Sequence, residues 1–316
     1  MRRSFAPIWQ SAWALLALGN LFWAGNIVLG RGIAGQIPPV TLAWTRWTGA
    51  FLIAIGFAWP HLKRDAPVLL RHWPVMLLLG ATGIACYNTM SYVGLTETTA
   101  LNVLLLQSAL PLIIIVWAFL IFGERPSIRQ TAGVVLSLLG VAAIAAHGSI
   151  DALISLRLNH GDLWIVLAMA IYGIYTVMLR RRPKVHPLSF LVTAMAIGSC
   201  LILPFSLLEL VHGARFAGRL TSWLAIGYIV VFPSFIAYLF FNRGVELAGA
   251  TLAGQSMHLM PLFGSILAVL FLGETLHLYH AAGAALIAAG ILLASSGAAT
   301  ARRPAPPQGS LHPKRT

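Results

Sequence analysis

The chain has 316 residues, of which 59% are hydrophobic and only 9% charged, and its mean hydropathy is +0.84. A soluble domain carries roughly a quarter charged residues, so this composition excludes an ordinary soluble protein. Period-2 alternation is not apparent, which argues against a transmembrane barrel, and the formal net charge of +13 reads as membrane topology rather than as a nucleic-acid surface.

From the N-terminus, a basic start at 1–11 precedes an apolar run that continues to about Leu29 without a small-x-small cleavage site. It is read as a retained first membrane helix rather than a signal peptide. Length, hydropathy and breakers then predict ten membrane helices near 12–30, 40–59, 73–93, 99–122, 129–146, 162–179, 188–210, 221–242, 250–272 and 279–297, each long enough to cross a bilayer. The longest internal loops are expected near 60–72 and 147–161, too short for a soluble domain. The tail 298–316 is Pro-rich and basic and reads as disordered. Cys86 and Cys200 lie inside apolar runs without metal-ligand spacing, and read as unpaired membrane thiols.

With the N-terminus in the cytoplasm, sixteen of the 21 Lys and Arg fall on inside segments. Arg31, Arg157, Arg215 and Arg219 fall outside, and Arg46 lies within a helix. Such asymmetry sets orientation. It accounts for the charge by topology and contact with anionic lipid, so no nucleic-acid partner is expected.

Sliding the chain by 150 residues matches Gly94 to Gly244, Ala100 to Ala250, Pro111 to Pro261, Gly123 to Gly273, Glu124 to Glu274, Gly133 to Gly283 and Gly140 to Gly290. The pattern predicts an all-α integral membrane protein made of two five-helix repeats, at 12–146 and 162–297. Because five is odd, the second repeat must enter the membrane upside down, an arrangement that suits alternating access.

The ten helices, the two halves, the mid-helix prolines and the "GE" pairs in "FGERP" and "LGETL" resemble the EamA-like transporters of the drug/metabolite transporter superfamily. The resemblance covers about residues 12–297. It implies export of amino acids, other metabolites or drugs from the bacterial cytoplasm across the inner membrane, with both termini cytoplasmic, and it does not identify the cargo. Small-molecule substrate and membrane lipid are the expected partners, and a homodimer is compatible with the reading.

A proline inside a helix removes one hydrogen bond and kinks it. Pro111 should free the carbonyl of Gln107, and Pro261 that of Met257, near mid-membrane. Interrupted segments at matching places in two halves point to a substrate cavity; a purely structural kink is the alternative. Trp23 and Asn26 share a helix face, matched in the second half by Tyr172 and Tyr175, and Asn88 and Tyr92 are matched by Tyr238 and Asn242. These line a cavity for a small polar or aromatic cargo or else bond helix to helix. Arg46, whose counterpart is Met195, could hold a substrate carboxylate or snorkel outward. His258, three residues before Pro261, could carry a proton or stay neutral and hydrogen-bonded. The "GE" pairs read as helix-end structure, Gly as stop and Glu as favourable charge at the next helix start, with gating as the alternative.

No cofactor or metal motif is visible, and no Walker sequence suggests ATP drive. The competing classes are a non-transporting scaffold or receptor and a membrane-embedded enzyme. The latter lacks a paired acid, metal cluster or nucleophile with its base. The sequence leaves open the cargo, coupling ion, direction and oligomeric state.

Overall fold

The computed structural model describes residues 6–32, 36–98, 106–107, 109–146, 151, 159–216, 218–272 and 277–301. The Gly273–Glu274 pair and the tail beyond residue 301 lie outside the described residues. Among the described residues all regular secondary structure is helical. The helices are α1 (Ala6–Gln10), α2 (Ala12–Gly32), α3 (Pro39–Arg71), α4 (residues 73–97), α5 (Leu110–Phe122), α6 (Ile128–Ala145), α7 (His160–Met178), α8 (Pro187–Val211), α9 (Leu220–Ala248), α10 (Ala250–Ser256), α11 (Leu259–Leu272) and α12 (Leu278–Ala301). Four spans, Pro39–Arg71, His160–Arg181, Pro187–Val211 and Leu220–Ala248, are each long and apolar enough to cross a membrane, and shorter apolar helices accompany them. Large apolar side chains such as Phe57, Leu120, Val211 and Leu224 stand exposed, as lipid-facing residues do.

The expected loop at 60–72 is instead helix. α3 runs unbroken for 33 residues through Pro60 and Pro67, about 50 Å at the helical rise, well beyond the ~30 Å hydrocarbon thickness. Its far end is held by tertiary contact. Asp65 is buried against α8 and accepts the backbone N–H of His186 at 2.9 Å. At the other end of the same helix pair, Glu209 near the C-terminus of α8 accepts the N–H groups of Val40 and Thr41 at 3.1 and 2.7 Å, and the Thr41 hydroxyl at 2.8 Å. Each helix therefore supplies a carboxylate to the start of its partner, where the unpaired N–H groups and the helix dipole favour negative charge. The two helices run antiparallel.

α6 and α12 repeat this relation. A Cβ on Gly133 would lie 2.5 Å from the Gly290 carbonyl oxygen, and one on Gly140 would lie 2.6 Å from that of Gly283. Positions 133 and 283 correspond under the 150-residue shift, as do 140 and 290, so the two contacts exchange into one another. That is a two-fold relation between antiparallel helices, and the missing side chains let the backbones touch.

The prolines do not kink continuous helices. Pro111 sits in the first turn of α5 and Pro261 in the first turn of α11, where a missing N–H is not needed for helix hydrogen bonding. Each instead begins a new helix after a short break. At the second break the Met260 N–H takes the Met257 carbonyl at 3.0 Å, so that carbonyl is not left free for cargo as the sequence suggests.

The first "GE" pair also differs from expectation in one half. Gly123 ends α5 with φ 69°, and its N–H returns to the Phe119 carbonyl at 2.8 Å, as a left-handed helix stop requires. Glu124 does not start the next helix. Ser127 and Gln130 do so by reciprocal bonds between side chain and backbone, a capping box. Glu124 pairs instead with Arg180.

Candidate functional site

The centre of the molecule is built on two widened helical turns. Ala81–Cys86 in α4 and Val230–Ile236 in α9 are both π-helical and fall at matching positions of the two halves. A π turn accommodates an extra residue and loosens the carbonyl ladder, which is why such turns recur at functional sites. Here the loosened carbonyls accept side chains. The Gly83 oxygen takes the Tyr238 hydroxyl at 2.9 Å, and the Pro233 oxygen takes the Trp23 indole N–H at 2.8 Å. Asn88 also donates into the α4 turn, to Ile84 O at 2.9 Å.

Arg46 lies against the second of these turns and is only 4% exposed. Its Nε donates to Ser234 Oγ, Nη1 to the Tyr92 hydroxyl at 2.9 Å, and Nη2 to Pro233 O at 3.3 Å. Its guanidinium carbon stands 5.0 Å from the centroid of the Trp47 ring. Among the described residues, no ion pair includes it. Its three hydrogen bonds all run to interior groups, and it does not reach outward to an interface.

Aromatic rings surround this layer. Trp23 packs edge-on to Tyr238 at 5.5 Å, Trp47 meets Tyr238 at 4.8 Å, and Tyr172 contacts Tyr87, Tyr175 and Phe241 at 4.4, 5.3 and 6.0 Å. The Tyr175 hydroxyl donates to Asn242 Oδ1 at 2.6 Å. The Tyr172 hydroxyl, Asn242 Nδ2, Asn26 Oδ1 and Trp47 Nε1 are buried without a hydrogen-bond partner, a costly condition for polar atoms.

A cavity of about 990 Å³ reaches Asn242 from the end of the molecule that carries Arg125, Arg180, Arg182 and Lys184. Glu124 and Glu246 also line it. Glu124 is paired with Arg180, and Glu246 with Arg182 at 2.6 Å and Arg243 at 2.8 Å. At the other end, among the described residues, side chains tie helices of the two halves together. The Glu209 cap holds α3 to α8, Thr98 and Asn159 bond to Asp162, and His160 meets Glu97 at 2.9 Å. The Tyr175–Asn242 bond thus divides an open basic vestibule from the aromatic cluster, and the Arg46 layer links α3, α4 and α9 beside that cluster.

The sequence-derived candidates separate into two groups. Trp23, Arg46, Asn88, Tyr92, Tyr172, Tyr175, Tyr238 and Asn242 come together in the aromatic cluster. Asn26 lies one turn from Trp23, with its amide oxygen unpaired. Gln107, His258 and Pro261 instead line a separate void with Tyr87, between the two helix breaks, while Pro111 is buried beside it. This void holds only about 10 Å³, room for at most one water, so the prolines do not border a cargo-sized cavity here. Sequence reasoning missed Trp47, Tyr87, Pro233 and Ser234, because none has a like residue at its repeat position. It also missed Glu209 and Asp65, which lie far apart in sequence from the backbone they cap. Among the described residues, no cluster of three or more His, Cys, Asp or Glu could hold a metal.

Profile comparison matches two copies of the EamA-like transporter family, at residues 10–146 and 159–296. The chain belongs to the EamA-like transporter family. Relatives of this EamA-like protein include a Bacillus subtilis (strain 168) protein named as the uncharacterized transporter YyaM, 28% identical over 89% of this chain and 92% of that one. Another, from Streptantibioticus cattleyicolor, is named as a probable terminal-alkyne amino-acid exporter. It is 27% identical over 96% of this chain and 97% of its own. A solved crystal structure superposes with a TM-score of 0.75 at 20% identity, covering 92% of this chain and 99% of that chain, and it shares the fold. The family and these relatives make the EamA-like chain a multi-pass membrane protein of the transporter class, within the drug/metabolite transporter superfamily.

Proposed function

We propose that this chain exports small organic metabolites, amino acids or related compounds, from the bacterial cytoplasm by alternating access. In this reading ten membrane helices form two inverted repeats, 12–146 and 162–297, with both termini cytoplasmic. The observation that carries it is the asymmetry of the two ends. One large vestibule opens among Arg125, Arg180, Arg182 and Lys184 and stops at the Tyr175–Asn242 bond, while at the opposite end Glu209, Asp162 and Glu97 tie helices of the two halves together. The excess of Lys and Arg on the vestibule's side supports its being the cytoplasmic side, and in this reading the conformation faces inward with a thin inner gate.

Alternating access needs two conformations of similar free energy that expose one site to either side. Antiparallel equivalent helices supply them, because exchanging the local conformations of the two halves exchanges the open end. The cargo class is supported by the buried cluster beyond the Tyr175–Asn242 bond, which presents aromatic rings with a few amide and hydroxyl groups. The naming of the Streptantibioticus relative as an amino-acid exporter agrees with it. The test is flux into liposomes containing the purified protein, with a panel of labelled amino acids and related metabolites. Saturable uptake above protein-free liposomes is expected for at least one, and its absence for all of them overturns the proposal.

A further inference from the structure

Three groups in the aromatic cluster lack what their chemistry calls for. Arg46 is a permanent cation buried at 4% exposure with only neutral hydroxyl, carbonyl and ring partners. An uncompensated buried charge is unfavourable, and far more so in a membrane interior. The Tyr172 hydroxyl, at 1% residue exposure, and Asn242 Nδ2, at 4%, face the same interior without partners.

The distribution of acids sharpens this. The chain has eight Asp and Glu. Among those described, Asp65, Glu97, Glu124, Asp162, Glu209 and Glu246 are all committed at helix ends, to backbone caps or to basic or hydroxyl partners, and Asp151 is exposed. None touches the cluster. Among the described residues the interior therefore presents the Arg46 cation and several ring faces, with no carboxylate beside them.

We infer that the cargo carries a carboxylate on an aromatic or bulky apolar body, and that Arg46 is its anion-binding residue. This rests on the transport reading above and narrows its cargo. The carboxylate displaces the Tyr92 or Pro233 contact of the guanidinium and forms a charge-assisted pair. The rings of Trp23, Tyr172 and Tyr238 take the body, and Tyr172 and Asn242 supply the remaining polar contacts. Arg125 and Lys184 in the vestibule raise the local concentration of such anions. An organic cation gains only ring faces and meets the Arg46 charge.

The experiment measures binding to the purified full chain by thermal shift with four probes of similar size: L-phenylalanine, 3-phenylpropionate, 3-phenylpropionamide and 2-phenylethylamine. The two carboxylates are expected to stabilise the protein and the neutral amide and the amine not to do so. In Arg46→Gln the carboxylate affinity falls by at least about tenfold, the ratio for one lost hydrogen bond to a charged group, while Arg46→Lys keeps part of it. Equal stabilisation by acid and amide, or by the amine, overturns the inference without any variant being needed, as does unchanged carboxylate affinity in a folded Arg46→Gln. If none of the four binds while other labelled metabolites show saturable flux, the inference falls and the transport reading stands. If nothing is transported, both fall.

Discussion

The backbone oxygens of Gly83 and Pro233, 150 positions apart, do the same work in the two halves. Each lies in a π-helical turn and each accepts a hydrogen bond from an aromatic side chain of another helix. The repeat therefore extends to a backbone feature that pattern matching of residue types does not show.

That relation makes the Tyr238 hydroxyl a structural tie as well as part of the lining. Tyr238→Phe leaves the ring contacts to Trp23 and Trp47 and removes the bond to Gly83. The expected loss is about 1 kcal/mol, read as a lower thermal midpoint in detergent. An unchanged midpoint would mean that the π turn holds its shape without this bond.

The α6–α12 contact should be intolerant of even one methyl group. In Gly133→Ala the new Cβ meets the backbone of Gly290 and Ala294, which cannot rotate away. Overpacking of this kind costs roughly 1–3 kcal/mol. Gly56→Ala, where a Cβ meets nothing within 4 Å, is the control, and helix propensity makes it neutral or slightly stabilising. Thermal denaturation of the two variants side by side checks the contrast.

Glu209 ties α8 to the start of α3 at the end opposite the vestibule by holding three donors on Val40 and Thr41. Glu209→Ala removes that tie and should shift the population toward the conformation open on that side. Loss of a cap costs about 0.5–2 kcal/mol, enough to change a two-state ratio several-fold. A single cysteine in place of Thr41 should then label faster with a membrane-impermeant thiol reagent in Glu209→Ala than in the parent sequence with the same cysteine. Equal rates would remove Glu209 from the gate.

The rings of His61 and His186 stack 3.7 Å apart. Partial burial, then the neighbouring His61, hold the His186 imidazole below its ordinary value, with Arg64 acting in the same direction and Asp65 opposing. The folded state thus favours neutral His186. Its contribution to stability is complete above the unfolded value near 6.5 and is lost as pH falls through the lower folded value. Protonation would also remove the Nδ1 acceptor for the Leu188 N–H. The thermal midpoint should fall between about pH 7 and pH 5, and His186→Asn, which keeps a capping side chain but does not titrate, should flatten that fall. The same slope in both proteins would assign the effect elsewhere.

Much of this was legible in the sequence because membrane spans are written in composition and because the 150-residue shift is unusually clean around Pro111 and Pro261. The structure places the paired faces of Trp23 with Tyr172 and of Asn88 with Tyr238 in one cluster. The prolines misled in detail. A proline in the first turn of a new helix looks the same in sequence as one in mid-helix, and only the break before it distinguishes them. α3 was cut short because Pro60, Lys63, Arg64 and Pro67 read as loop, whereas the Asp65–His186 cap holds the helix on. Trp47, Tyr87 and Ser234 gave no signal, since they serve the site without a repeat partner. Glu124 was read as local helix-end structure, and its ion pair with Arg180 spans the two halves.

Counterflow tests alternating access most directly. Liposomes containing the purified protein are loaded with unlabelled L-phenylalanine and diluted into a trace of the labelled compound. The account predicts transient accumulation of label above equilibrium, saturating with internal concentration and weakened when Arg46 is replaced by Gln. Uptake indistinguishable from protein-free liposomes, for this compound and for every other amino acid and related metabolite tested, would contradict it.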